Sequence, residues 1–290
     1  MATRAQWLEA TRPRTLPASI APVLAGTGAA ALADGVVWPK AVLALLVALA
    51  LQVGVNFAND YSDGVRGTDT ARVGPARLVA TGAVPAARVR LAAAACFGVA
   101  AVLGLVLALT SAWWLVLVGA ACIAAAWYYT GGRRPYGYRG LGEVSVFVFF
   151  GLIATAGTEF VQVGSLTWPA VVAGCGVGLL ACAVLMANNL RDLVGDAAVG
   201  KRTLAVRLGD RRARRTYAGL VAAAYVLLFV LAGRGPAALL AFVSLPIAVR
   251  GVRRVGQGAT GMALVPVLRD TGLAELAYGV LLGVGLALSG

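Results

Sequence analysis

Histidine is absent from all 290 residues. That removes the commonest general base and the commonest metal ligand. Haem chemistry, zinc hydrolysis and histidine-based nucleophile activation become poor readings. Cysteine is scarce: Cys96, Cys122, Cys175 and Cys182 all sit in apolar runs, with no Cys-x-x-Cys pair. They read as small hydrophobes. Acids are few, with 12 Asp and Glu against 25 Lys and Arg and a net charge of +13. Charge of either sign is thin, at 13% of residues, while 60% are hydrophobic. Soluble domains carry about a quarter charged residues, so this balance points to an integral membrane protein. The apolar runs are long and lack the strict alternation of barrel strands, which predicts helices. Residues 1–19 hold no short apolar core followed by a small-residue cleavage site, and no signal peptide is expected there.

A helix that crosses the hydrocarbon core needs roughly 20 apolar residues. On that scale nine spans are expected, at about 16–33, 39–60, 86–109, 113–130, 143–161, 168–190, 213–232, 236–253 and 272–289. The fold class expected is an all-α membrane protein: one domain over 1–290, with nine transmembrane helices around a central cavity that opens to the cytoplasmic side. All Lys and Arg except Lys40 and Arg234 fall on one side of that layout. Positive residues collect inside, so the N-terminus and the long loops are expected in the cytoplasm and the C-terminus outside. Basic residues confined to short loops suit anionic lipid headgroups and an anionic substrate better than nucleic acid. Arg211, Arg212, Arg214 and Arg215 read as lipid anchors.

Two polar clusters interrupt this apolar chain. Asn59-Asp60-Tyr61-Ser62-Asp63, with Asp69 beyond it, closes the second span. Asn188-Asn189-Leu190-Arg191-Asp192, with Asp196 beyond it, closes the sixth. Both spans run the same way, and helices 1–4 and 5–8 can form a parallel repeat. Carboxylates at the edge of hydrocarbon are costly and mark functional sites. If each helix continues one turn past its apolar part, i+3 and i+4 spacing puts Asn56, Asn59, Asp60 and Asp63 on one stripe. Asn188, Asn189, Asp192 and Asp196 then form a second. Oxygen ligands without His or Cys suit Mg²⁺, which takes one or two carboxylates and completes its shell with phosphate and water. Asp60, Asp63, Asp69, Asp192 and Asp196 are therefore the candidate metal ligands, and metal-bound diphosphate is the candidate partner. Arg66, Arg72, Arg191, Lys201 and Arg202 lie beside them and can bind phosphate oxygens. The bland alternative, solvated helix ends with aspartates opposing arginines, fits one cluster better than two.

Between the clusters runs Trp127-Tyr128-Tyr129-Thr130-Gly131-Gly132-Arg133-Arg134-Pro135-Tyr136-Gly137-Tyr138-Arg139-Gly140. Glycine, proline and tyrosine in this density make a tight loop. It reads either as an interfacial aromatic belt or as a lid, with arginine for an anionic acceptor and tyrosines against a ring. Glu143 just beyond reads as a helix-start carboxylate or as part of the site.

Asn59-Asp60-Tyr61-Ser62-Asp63, Asp192-Leu193-Val194-Gly195-Asp196 and Gly200-Lys201-Arg202-Thr203 resemble the motifs of the UbiA superfamily of intramembrane prenyltransferases. That superfamily places a further Asp four residues after the first motif. Gly67 stands there, and Asp69 is the next acid. The longer spacing resembles the menaquinone branch. So do Arg12-Pro13-Arg14-Thr15-Leu16-Pro17, the run Thr130–Tyr138, Asn188–Asp192 and Pro266-Val267-Leu268-Arg269-Asp270-Thr271. The similarity runs from about residue 7 to 275.

The resemblance implies a polyprenyl diphosphate donor, a 1,4-dihydroxy-2-naphthoate acceptor, Mg²⁺, and as products demethylmenaquinone, diphosphate and CO₂. It implies attack by the ring carbon that bears the carboxylate. Arg72, Arg134 and Arg139 are the candidate cations for the acceptor carboxylate. With no histidine, any base is Asp, Glu or Tyr, and Asp69, Tyr129 and Tyr138 are the candidates. Rival readings are a prenyltransferase with another aromatic acceptor, a CDP-alcohol phosphotransferase and a multi-pass transporter. Oligomeric state is not readable.

Overall fold

A computed structural model describes residues 2–68 and 77–290. Asp69 and Arg72 lie outside the described residues. The described chain is helical, with no strand among its elements. In chain order the helices are α1 (Arg4–Ala10), α2 (Pro17–Leu32), α3 (Trp38–Arg66), α4 (Ala86–Thr110), α5 (Leu115–Tyr128) and α6 (Gly142–Val163). They continue with α7 (Trp168–Arg191), α8 (Leu193–Ala198), α9 (Leu204–Leu208), α10 (Asp210–Ala232), α11 (Pro236–Gly256) and α12 (Gly261–Ala287).

Each expected span falls on one of these helices, but not all are long enough to cross. Seven qualify by length and apolar character: α3, α4, α6, α7, α10, α11 and α12. α2 has 16 residues and α5 has 14. An eighth span results only if residues 4–32 act as one helix broken by a 48° bend. The bend has a cause in the sequence. Pro13 and Pro17 withhold backbone donors there, and Arg12 just before them takes a left-handed conformation (φ 53°).

The bundle closes through small residues. Helices in a bilayer gain little by hiding leucine from lipid, so close backbone approach carries their association. α2 packs along α12, where a Cβ on Gly28 would collide with Gly283, and one on Gly279 with Ala21. α6 meets α7 in the same way, Gly151 against Gly174 and Gly178. The chain of α6 widens into a π-helical stretch at Phe147–Ile153, and Phe149, Phe150 and Ile153 face a cavity there. α7 and α12 are the most enclosed helices. α4 and α5 lie outside, with Val99, Val102, Leu105, Leu109, Trp113 and Leu117 exposed. Facing lipid, such side chains need no partner. α5 has no buried residue at all.

Candidate functional site

α3 does continue past its apolar part, and Gly67 in a left-handed conformation (φ 70°) ends it. Its polar stripe then divides. Asn56 donates to the Thr11 carbonyl at 2.8 Å and to Thr15 Oγ1 at 3.0 Å, and Gln52 donates to the same hydroxyl at 2.8 Å. The Arg12–Thr15 turn is thereby strapped onto α3. Asn59 accepts from Thr130 Oγ1 at 2.7 Å. Asp63 accepts from Arg77 at 3.3 Å and from the Tyr138 hydroxyl, and Lys201 Nζ stands 3.6 Å from it. Asp60, one step around the helix, is turned elsewhere. Its two oxygens accept the backbone N–H groups of Leu78 (2.9 Å) and Val79 (3.1 Å). It is buried and does not line the cavity that Asp63 lines.

The second cluster sits at the end of α7. Arg191 holds Asp192 with two bonds, at 2.8 and 2.6 Å. Asn189 donates to Glu143 Oε1 at 2.9 Å, so Glu143 braces the second motif from the start of α6. Asp192, α8 and the turn after it bring the chain back: Lys201 N–H donates to the Asp196 carbonyl at 2.8 Å. That return carries Lys201 to Asp63 and joins the two clusters at one end of the bundle.

The tyrosine-rich loop closes the same end. Arg66 donates to the carbonyls of Thr130 and Gly132, and its guanidinium lies 5.5 Å from the Tyr138 ring centroid. Lys201 Nζ stands 4.6 Å from that ring. Burial first, and then the Asp63 charge, push the Tyr138 phenol well above its ordinary range. Tyr138 is therefore a lasting hydrogen-bond donor to Asp63. Arg202 meets the loop only through its N–H, donated to the Tyr138 carbonyl at 2.8 Å. Arg134, Arg139 and Arg202 have exposed side chains and line no cavity. Arg66 and Arg191 are spent on the loop and on Asp192.

Two contiguous cavities result. A polar one of about 220 Å³ is lined by Asn59, Asp63, Asn188, Asn189, Asp192 and Asp196, with Lys201 and Tyr138. An apolar one of about 310 Å³ runs along α3 from Asn59 to Ala44, about 22 Å at helical rise. Ala18, Gln52, Asn59, Tyr129, Val146 and Phe150 line both. Of the cations expected to bind substrate, Lys201 is the one that reaches the polar cavity among the described residues. Arg12, Arg14 and Arg77 reach it unexpectedly, as do Gln52 and Glu275. The Arg12–Pro17 run resembled the family without a role in view, and Arg77 stood only as loop charge.

Hard oxygen donors line the polar cavity, and no cysteine does. The donor set fits Mg²⁺. No three carboxylates among the described residues converge on one point. An ion here takes one or two carboxylates and needs substrate oxygens for the rest, which is how Mg²⁺ is usually held.

A membrane bundle with a charged chamber at one end and an apolar chamber opening from it belongs to the class built to hold an anionic headgroup and its hydrocarbon tail together. The chain belongs to the UbiA prenyltransferase family, whose model matches residues 19–258. It is 53% identical to a 1,4-dihydroxy-2-naphthoate octaprenyltransferase of Mycobacterium tuberculosis, covering 99% of this chain and 98% of that one. A protein of the same name from Escherichia coli is 37% identical over 98% of this chain and 95% of its own. In fold the chain is similar to a UbiA homolog from Archaeoglobus fulgidus solved with GPP and Mg²⁺. There the TM-score is 0.68 at 16% identity, over 96% of this chain and 99% of that one.

Proposed function

We propose that the chain transfers a polyprenyl group from polyprenyl diphosphate to 1,4-dihydroxy-2-naphthoate, with loss of diphosphate and CO₂. The carrying observation is the junction of the two cavities at Asn59 and Tyr129. It sets a diphosphate among cations and carboxylates while its tail lies among apolar side chains. The full-length relatives supply the acceptor. Electron balance makes the immediate product the quinol, and demethylmenaquinone follows by a separate two-electron oxidation.

Asp63, Asp192 and Asp196, with Asn59 and Asn188, are the residues that would hold Mg²⁺. Asp69, next along the first motif, is proposed with them. Bound there, Mg²⁺ supplies Lewis-acid stabilisation of the leaving diphosphate. Lys201 and Arg77 add positive charge in the same cavity, and Arg72, outside the described residues, is proposed with them. Tyr138 fixes Asp63, and Arg66 and Arg202 fix Tyr138. Arg12 and Arg14 take the acceptor carboxylate, in place of the outward-facing Arg134 and Arg139. Tyr129 packs against the acceptor ring. Phe149, Phe150 and Ile153 keep water from the allylic cation. The bundle crosses nine times if α2 and α5 are counted as spans. The one-sided distribution of basic residues supports a topology with the polar cavity and N-terminus on the cytoplasmic side and the C-terminus outside.

Purified protein in liposomes should release one diphosphate per prenylated naphthoate, stop with EDTA and restart with Mg²⁺. Asp192→Ala should lower turnover by about 10²–10³-fold, the scale of losing a principal electrostatic stabiliser. Near-normal Mg²⁺-dependent turnover by that variant would sink the site. Preference for hydroxybenzoate or homogentisate in a side-by-side assay would sink the acceptor.

A further inference from the structure

Glu275 has no part in the ion and phosphate chemistry above, yet it lines the polar cavity. It lies on α12 one turn below Gly272, and Leu268, Gly272 and Glu275 share a face at i, i+4 and i+7. Its exposure is 0%. Neither carboxyl oxygen has a hydrogen-bond partner. Ala181, Val184, Leu185 and Phe150 line the same cavity, as do Arg12, Arg14 and Arg77, and none of these gives either Glu275 oxygen a hydrogen bond. Nine-tenths or more of buried polar atoms are satisfied in native proteins, and a buried orphan lowers stability. A carboxyl kept under that penalty inside a substrate cavity is waiting for a donor that the substrate brings.

Gln52 repeats the pattern on the facing helix. It is 5% exposed, its Nε2 is committed to Thr15, and its Oε1 accepts nothing. It stands where the two cavities meet. The cavity thus offers two unsatisfied acceptors. The proposed acceptor substrate brings two hydroxyl donors, para to each other on one ring.

We propose that Glu275 is the proton relay for the acceptor hydroxyl next to the carboxylate, with Gln52 receiving the second hydroxyl. This rests on the naphthoate reading given above. The step balances without an outside acid or oxidant. The O–H bond at C1 breaks and its proton moves to Glu275. C2 bonds to the allylic carbon as the C–O bond to diphosphate breaks, the electron pair leaving with diphosphate. C1 is then a carbonyl beside a quaternary carbon that bears the carboxylate. When the C2–CO₂ bond breaks, its electrons return through C1 to oxygen, and Glu275 gives the proton back. The relay ends as it began. Asp63 and Tyr138 are unsuited to the task, since each is already bonded to the other.

The test is a cycle with one arm on the protein and one on the substrate. Wild type and Glu275→Gln, in liposomes with Mg²⁺, are assayed on 1,4-dihydroxy-2-naphthoate and on its 1-O-methyl ether. Proton relay by a positioned side chain is worth about 10²–10⁴-fold. Glu275→Gln should lose about 100-fold in kcat on the natural acceptor, with the KM for prenyl diphosphate and the melting temperature unchanged. Methylation should cost wild type a similar factor and cost the variant almost nothing more. Glu275→Asp should recover part of the rate. The proposal is overturned if the variant keeps more than a third of wild-type kcat, if the two losses multiply independently, or if prenyl diphosphate binding or melting falls with the rate. Wild type that leaves the naphthoate untouched fails the functional reading itself, a result separable from all of these.

Discussion

Asp60 and Asp63 look equivalent in the sequence and make different contacts. Both fall on the polar stripe of α3, and helical spacing cannot say which rotates into the cavity and which out. The contacts decide, because the partner of Asp60 is a backbone turn distant in sequence. Spacing has no sign for that. Asp60→Ala should leave two buried N–H groups without an acceptor and cost about 2–4 kcal/mol of stability. Asp60→Asn, keeping one acceptor, should cost about half as much. Melting curves in detergent check both, and equal melting for wild type and alanine variant rules out the anchoring role. Tyr138 acts through Asp63. Tyr138→Phe should raise the Mg²⁺ concentration for half-maximal rate about 10–100-fold, the usual penalty for losing a ligand's orienting partner. The phenol's raised value means the fold favours its protonated form. That contribution is whole below the ordinary phenol value of about 10 and is lost only as pH climbs through the raised one. Wild type and Tyr138→Phe should therefore share the shape of their pH–rate curves up to about pH 9; a limb missing from the variant would assign the titration to Tyr138.

At the level of helices, most of the architecture was legible and the lengths were not. Apolar runs and basic loops put a helix at each of the nine expected spans, seven of them long and apolar enough to cross, because desolvating a backbone in hydrocarbon leaves few alternatives. They do not reveal that the chain bends between α1 and α2 at Arg12–Pro17, or that α6 widens at Phe147–Ile153. Neither feature changes hydropathy. The widened turn helps aim Phe149, Phe150 and Ile153 into the apolar chamber; it contains one glycine, and a second lies just beyond it, with opposite surroundings. A Cβ at Gly151 would strike the α7 backbone, whereas one at Gly157 meets nothing within 4 Å, on the chamber wall. Gly157→Leu should leave the fold intact and shorten the tail the chamber accepts. The expected loss in kcat/KM is about tenfold for a long polyprenyl diphosphate, or ~1.4 kcal/mol of overpacking. Geranyl diphosphate should be nearly unaffected. A chain-length series on the variant gives the answer, and equal losses across the series would remove the tail from this chamber.

Across the whole molecule, the two halves of the site come from different kinds of information. The carboxylate clusters are local in sequence and were visible. The cations that share their cavity, Arg12, Arg14 and Arg77, arrive from the N-terminal turn and the loop beyond α3. Only the folded bundle brings them there. α5, which has no buried residue, forms part of the wall of the apolar chamber. Leu115, Val118, Gly119 and Cys122 of α5 line it, and the 14 residues of α5 span about 21 Å, against a hydrocarbon thickness of about 30 Å. Lipids beside α5 must compress or tilt to meet it, at a cost of fractions of a kcal/mol for each ångström of mismatch. The bilayer is then strained along the flank where α5 walls the apolar chamber. Vesicles of graded acyl length, from myristoyl to erucoyl, should show turnover on long-tailed donors falling as the membrane thickens, while turnover on geranyl diphosphate stays level. Membrane thickness would in that way act on this enzyme as a control variable, written into the shortness of a single helix.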